Sequence, residues 1–211
     1  LRFDRASSVA KASSAVWPDS AGWKYFRLSA FPDSTWFAGE RANVDVMVLF
    51  DRSGSQGGWP IQHQKSISKQ IFSRLRSTDG LCVMGFDNTN DLAFADTLRP
   101  ATSANTQVAA AYIDKQVANG GTELANAIKA LTAIPNPSGR HRLYVFLTDG
   151  FITNEAEILT HLATIPDLQV ITFGAGSNLN RSFLDEAAKI GNGFSVPLVQ
   201  NDDIAARVTE A

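Results

Sequence analysis

Only one cysteine occurs in the 211 residues, and it lies inside the apolar run Leu81-Cys82-Val83-Met84. A lone thiol in such a run excludes a disulfide framework and reads as a small hydrophobe, which leaves the redox compartment open. Charge of one sign is also lacking: 19 basic against 21 acidic residues leave a net charge of −2. That balance gives no electrostatic footprint for nucleic acid or an anionic membrane. Long hydrophobic runs are missing as well. The strongest, residues 44–50, falls far short of the roughly 20 apolar residues needed to cross a bilayer, so no direct membrane insertion is expected. His63, His141 and His161 share no spacing, which argues against a histidine metal centre or a paired nucleophile. No charged-then-apolar targeting segment follows Leu1, and the chain is expected to be a piece of a longer one.

What remains is 44% hydrophobic sequence, the balance of one globular core with appended material. Residues 1–41 read as an N-terminal extension. They hold an Ala/Ser-rich stretch from Ala6 to Ala15, expected as a linker or marginal helix, then Trp17, Trp23 and Trp36 among prolines and glycines. Residues 24–31 read as a strand. Residues 42–211 form the main domain. There apolar strand-like runs at 44–50, 81–86, 142–148, 168–173 and 194–198 alternate with helical patterns from about 60, at 106–117, 123–133, 154–165 and 181–190. This is the signature of an α/β fold with a mainly parallel sheet covered by helices on both faces. The four residues Asp87-Asn88-Thr89-Asn90 are short enough for a hairpin, so residues 91–97 are expected as an antiparallel edge strand.

In an open parallel sheet, ligands sit beyond the carboxyl ends of the strands, where strand order reverses. Informative residues do follow strands here. The first central run ends in Asp51-Arg52-Ser53-Gly54-Ser55 and a later one in Thr148-Asp149-Gly150. Asp51, Ser53 and Ser55 alternate, so an extended or gently turning backbone presents a carboxylate and two hydroxyls on one side. Such hard oxygen donors suit Mg²⁺ or Mn²⁺, with Ca²⁺ a third candidate, and disfavour zinc. Gly120-Gly121-Thr122-Glu123 lies at a loop-to-helix junction, where Thr122 is placed either to cap the helix or to turn its hydroxyl to the ion. Asp149 supplies a second carboxylate, leaving the ion close to neutral with a coordination position filled by water.

The set Asp51-x-Ser53-x-Ser55, Thr122 and Asp149 resembles the metal-ion-dependent adhesion site of von Willebrand factor A-type domains at all five positions. The stretch Thr172-Phe173-Gly174-Ala175-Gly176-Ser177-Asn178-Leu179-Asn180, with Phe183-Leu184 and Gly193-Phe194, is similar to the matching part of inter-alpha-trypsin inhibitor heavy chains and their bacterial relatives. The likeness runs from about Phe26 to the end. It implies a doubly wound fold and a binding role, in which the open metal position takes an Asp or Glu carboxylate from a protein ligand and the rear helices shift in response. It also implies an accessory β-sandwich beside the A-type domain, with Tyr25 to Arg41 resembling the segment that connects the two and the 1–41 extension a candidate part of that sandwich, and that the protein works outside the cell or on its surface.

Gln56, Trp59, Asn88 and Phe151 are expected on the rim, where Trp59 and Phe151 are candidate anchors. A rival reading is an intracellular A-type partner subunit of an ATPase complex. Another is a metal-dependent hydrolase, but Glu123 is the sole nearby candidate for a base, and no phosphate-cradling loop or nucleophile-histidine pair accompanies it. No enzymatic activity is therefore expected.

Overall fold

The structure, a computed structural model, describes residues 10–18, 24–32, 42–95, 98–136, 140–152 and 154–210. The chain divides into two compact units, Leu1–Ala42 and Asn43–Ala211. In the first, β1 (Ala10–Pro18) and β2 (Lys24–Pro32) form an antiparallel hairpin with Ala10 opposite Pro32 and Pro18 opposite Lys24. The Ala/Ser-rich stretch is thus a strand from Ala10 onward, not a linker or marginal helix. Alanine and serine offer a helix no apolar face to bury, whereas a neighbouring strand satisfies the backbone groups directly.

The second unit carries a seven-stranded sheet. Its strands are β3 (Val44–Asp51), β4 (Gly80–Phe86), β5 (Asn90–Leu92), β6 (Arg99–Pro100), β7 (His141–Thr148), β8 (Gln169–Gly174) and β9 (Phe194–Pro197). Their order is β5-β4-β3-β7-β8-β9, with β6 also paired to β4. β3, β4, β7, β8 and β9 are parallel, and β5 and β6 run antiparallel along the β4 edge. The helices are α1 (Trp59–Phe72), α2 (Ser103–Lys115), α3 (Leu124–Thr132), α4 (Glu155–Ala163), α5 (Arg181–Ile190) and α6 (Ile204–Glu210).

β3 reads as a nearly continuous apolar run because both of its faces are covered. Val46, Val48 and Phe50 point into one core, completed by Ile61, Ile67 and Phe72 of α1, Ala109 and Ile113 of α2, and Ile204 and Val208 of α6. Met47 and Leu49 point into the other, completed by α3, α4 and α5 through Leu124, Ile128, Ile158, Leu162, Phe183 and Leu184. Asp45 is the polar exception inside β3, before the strand ends in Asp51. It is fully buried and paired with Arg140 and Arg142 at the end of the sheet away from Asp51.

Several expectations need correction. Antiparallel pairing after the hairpin stops at Leu92, and the edge resumes only as the two residues of β6. Residues 96 and 97 of the expected strand lie outside the described residues. α2 begins at Ser103, three residues early, because Thr102 caps it by accepting from the Asn105 N–H at 3.3 Å. Burial also thins toward the sheet edge, where Ile171 of β8 is half-buried, unlike Val145 beside it in β7. It stands one strand from the sheet edge, where its other neighbour is the first residue of the short β9.

Chain direction places the site. From β3 the chain passes through α1 to β4 on one side, and after the β4 edge it returns to β7 on the other side of β3. Strand order therefore reverses between β3 and β7, and the C-terminal ends of those two strands are Asp51 and Thr148.

Candidate metal centre

Asp51, the last residue of β3, is fully buried. Its Oδ1 accepts from the Ser53 N–H at 2.8 Å, and its Oδ2 accepts from the Thr148 hydroxyl at 2.6 Å. The first bond curls the chain just after the strand, so that Ser53 Oγ and Ser55 Oγ come within 3.0 Å of each other. One carboxylate and two hydroxyls are thus brought together, as the alternation in sequence implies.

From β7, Thr148 also accepts from the Gly150 N–H at 3.1 Å, and Asp149 Oδ1 accepts from the Phe151 N–H at 3.1 Å. Gly150 has a φ of +77°, a conformation costly for any residue with a Cβ, which explains the glycine of Thr-Asp-Gly. Asn180, at the start of α5, clamps the same turn. Its N–H donates to the Asp149 carbonyl at 2.9 Å, its Nδ2 donates to the Gly150 carbonyl at 3.1 Å, and its Oδ1 caps Phe183 N–H at 3.2 Å.

The third segment is tied to the first by backbone. Gly54 N–H donates to the Gly120 carbonyl at 3.0 Å and Asn119 N–H to the Arg52 carbonyl at 2.8 Å. Thr122 is half-buried and does not cap α3. The cap position is Glu123, which makes no side-chain cap bond. Its carboxylate is exposed.

Burial pushes the Asp51 carboxyl up to about 6 despite the hydrogen bonds from Ser53 and Thr148, and the charge of Asp149 adds to the push. Arg52, the nearest cation in sequence, turns away and pairs with Asp87 at 2.9 Å and Asp91 at 2.5 Å. Among the described residues no lysine or arginine pairs with Asp51 or Asp149. Two buried carboxylates side by side without a cation form an arrangement that a bound positive ion relieves.

Two buried amides lie behind the site: Gln64, which was missed in the sequence, and Gln56, which was expected on the rim. Gln64 of α1 accepts from the Asp51 N–H at 3.1 Å and donates to Gln56 Oε1 at 2.6 Å. Gln56 Nε2 in turn faces Ser55 Oγ at 3.4 Å. An N–H can only donate, so Asp51 sets the orientation of both amides in turn. The signal was present: Gln64 lies three residues from both Ile61 and Ile67, on the apolar stripe of the helix.

The rim divides. Gln56 is fully buried in this chain of amides and is not a rim residue. Trp59 is half-buried, packed on the core and edge-on to His63 at 4.9 Å between ring centroids. Asn88 is exposed, with Oδ1 bonded to the Gly121 N–H. Phe151 is 50% exposed beside Asp149, and of the four expected rim residues it is the exposed apolar one. His63, His141 and His161 contribute no atom to the polar contacts of the site described above.

A family model for the von Willebrand factor type A domain matches residues 44–196. A von Willebrand factor A domain-containing protein of Dictyostelium discoideum is 25% identical over 166 residues, 78% of this chain and 18% of that protein. Inter alpha-trypsin inhibitor, heavy chain 4, of Mus musculus is 25% identical over 180 residues, 79% of this chain and 19% of that protein. The chain thus spans less than a fifth of the length of either of these two relatives. Among solved structures, a von Willebrand factor type A protein from Catenulispora acidiphila superposes with a TM-score of 0.69 at 18% identity, over 99% of this chain and 50% of that one. Proximal thread matrix protein 1 from the mussel byssus, with a zinc-occupied MIDAS motif, superposes with a TM-score of 0.61 at 16% identity, over 80% of this chain and 47% of that one. By its sequence over residues 44–196 and by the order of its sheet, the chain belongs to the von Willebrand factor type A domain family.

Proposed function

We propose that the protein is a metal-dependent interaction module, in which Asp51, Ser53, Ser55, Thr122 and Asp149 hold one Mg²⁺ or Mn²⁺ and a partner supplies an Asp or Glu carboxylate to complete its shell. The observation that carries this reading is the pair Asp51 and Asp149 at the switch point of the sheet, buried beside hydroxyl donors and paired with no lysine or arginine among the described residues. The donor set fits a hard cation: it contains carboxylate and hydroxyl oxygens and neither nitrogen nor sulfur. When bound, the ion supplies an electrophilic position for a carboxylate. The chain's own residues orient the ligands, through Thr148 and the two amides, and leave Phe151 exposed at the edge.

The module is read as a binder and not an enzyme, since Glu123 is exposed and no nucleophile–histidine pair accompanies the site among the described residues. Its likeness to an inter-alpha-trypsin inhibitor heavy chain supports a place outside the cell or on its surface. The β1–β2 hairpin supports assignment of residues 1–41 to an accessory β-sandwich, with residues 42–211 as the A domain.

Selection of displayed peptides in Mg²⁺, with elution by chelator, tests the reading. Peptides with an essential Asp or Glu are expected, and zinc should be tried beside Mg²⁺ because the mussel motif holds it. Binding that persists in chelator, or that needs no acidic residue, contradicts it.

A further inference from the structure

We infer that Asn88 is a positioning residue for Thr122, fixing the backbone of the Gly120–Glu123 segment that carries this proposed metal ligand. The inference rests on the metal reading above and adds a residue outside the ligand set. Asn88 Oδ1 accepts from the Gly121 N–H at 2.9 Å, and the carbonyl of its neighbour Asp87 accepts from the Glu123 N–H at 2.7 Å. These two bonds bracket Thr122 on either side. The bonds from Asn119 to Arg52 and from Gly54 to Gly120 hold the segment from the opposite direction.

The anchoring turn is itself rigidly made. Asp87 Oδ1 accepts from the Thr89 N–H at 2.8 Å and from the Thr89 hydroxyl at 3.0 Å, while Asp87 Oδ2 pairs with Arg52. Those contacts engage the Asp87 carboxylate, so the turn reaches the ligand segment through its backbone and through the Asn88 amide. The glycine pair is explained by the same contact. A Cβ on Gly121 would stand 2.5 Å from Asn88 Oδ1, and one on Gly120, whose φ is +82°, would stand 3.1 Å from Asn88 Nδ2. Gly-Gly therefore gives the asparagine amide the room to close on the backbone.

Because Asn88 is exposed, its truncation opens no core cavity, and a change in metal affinity can be read apart from stability. Mg²⁺ titration calorimetry is run on the wild type, Asn88→Ala, Thr122→Ala and the double variant, well below their melting transitions. Outer-shell partners of metal ligands are commonly worth about tenfold or more in affinity. Asn88→Ala is expected to lose about tenfold, and the double variant to match Thr122→Ala alone, since Asn88 acts through that residue. Gly121→Ala, which displaces the asparagine from the other side, should mimic Asn88→Ala. A wild type that binds no Mg²⁺ overturns the metal reading and this inference together. If the wild type binds but Asn88→Ala binds equally well, or loses as much again in the Thr122→Ala background, the inference alone is overturned.

Discussion

The Thr148 hydroxyl donates to the Asp51 carboxylate at 2.6 Å, across the junction where β7 lies against β3. One strand end thereby holds the carboxylate of the other, and the same hydroxyl accepts from the Gly150 N–H. Thr148→Val keeps the side-chain shape and removes both bonds. It is expected to cost about 1–3 kcal/mol of stability, the usual range for leaving buried polar groups unsatisfied, and to move the Asp51 carboxyl higher still. Denaturant unfolding measures the first effect. A variant as stable as the wild type would show that the bond contributes nothing net.

Metal affinity should depend on pH through Asp51, whose folded value of about 6 lies above its ordinary 3.8 because of burial. In the metal-free protein the folded state holds this proton more tightly than the unfolded chain. The group's contribution to stability is therefore fully present below 3.8 and is lost as pH rises through about 6. Metal binding needs the carboxylate and so runs the opposite way. Mg²⁺ affinity is expected to fall about tenfold between pH 7 and pH 5 and to change little above pH 7. Calorimetry across that range checks it; a flat profile would mean that Asp51 is already ionised without the metal.

Gln64 ties α1 to the Asp51–Gln56 segment, so Gln64→Leu should affect more than the helix. It leaves the Asp51 N–H and Gln56 Oε1 without their partners, in a place where both amides are fully buried. A loss of about 2 kcal/mol or more is expected, because an unsatisfied buried polar group is costly. Thermal melting reads this directly. No change would mean that water or repacking replaces the amide.

The two aromatic rim residues should separate by function. Trp59→Ala removes a half-buried ring packed on His63 and the core, and should lower stability. Phe151→Ala, at a side chain 50% exposed, should leave stability unchanged and weaken binding of a selected acidic peptide by about 2 kcal/mol if it is an anchor. The reverse pattern would place the anchor at Trp59.

Much of this was legible in sequence because two physical signals coincide there. Apolar runs such as residues 44–50 mark strands buried on both faces, and polar residues directly after such runs mark the edge where an α/β sheet binds. Asp51 and Asp149 satisfied both. The amides did not show themselves so readily. Gln64 sits among isoleucines at helical spacing, and its role appears only when α1 is packed against β3. Gln56 and Asn88 occupy turn sequence, where a buried amide and an exposed one look alike; three-dimensional closure of the loops decides which is which. The β1 strand was hidden for a different reason. Alanine favours helix and is depleted in strands, so pairing with the partner strand overrides the local preference of the segment and determines its conformation.

Binding of one divalent ion by Asp51 and Asp149 together is tested by titrating Mg²⁺ and Mn²⁺ into the wild type, Asp51→Asn and Asp149→Asn, each first shown folded by circular dichroism. The expected result is a single site in the wild type and no measurable binding in either variant. Equal affinity in all three proteins would contradict it.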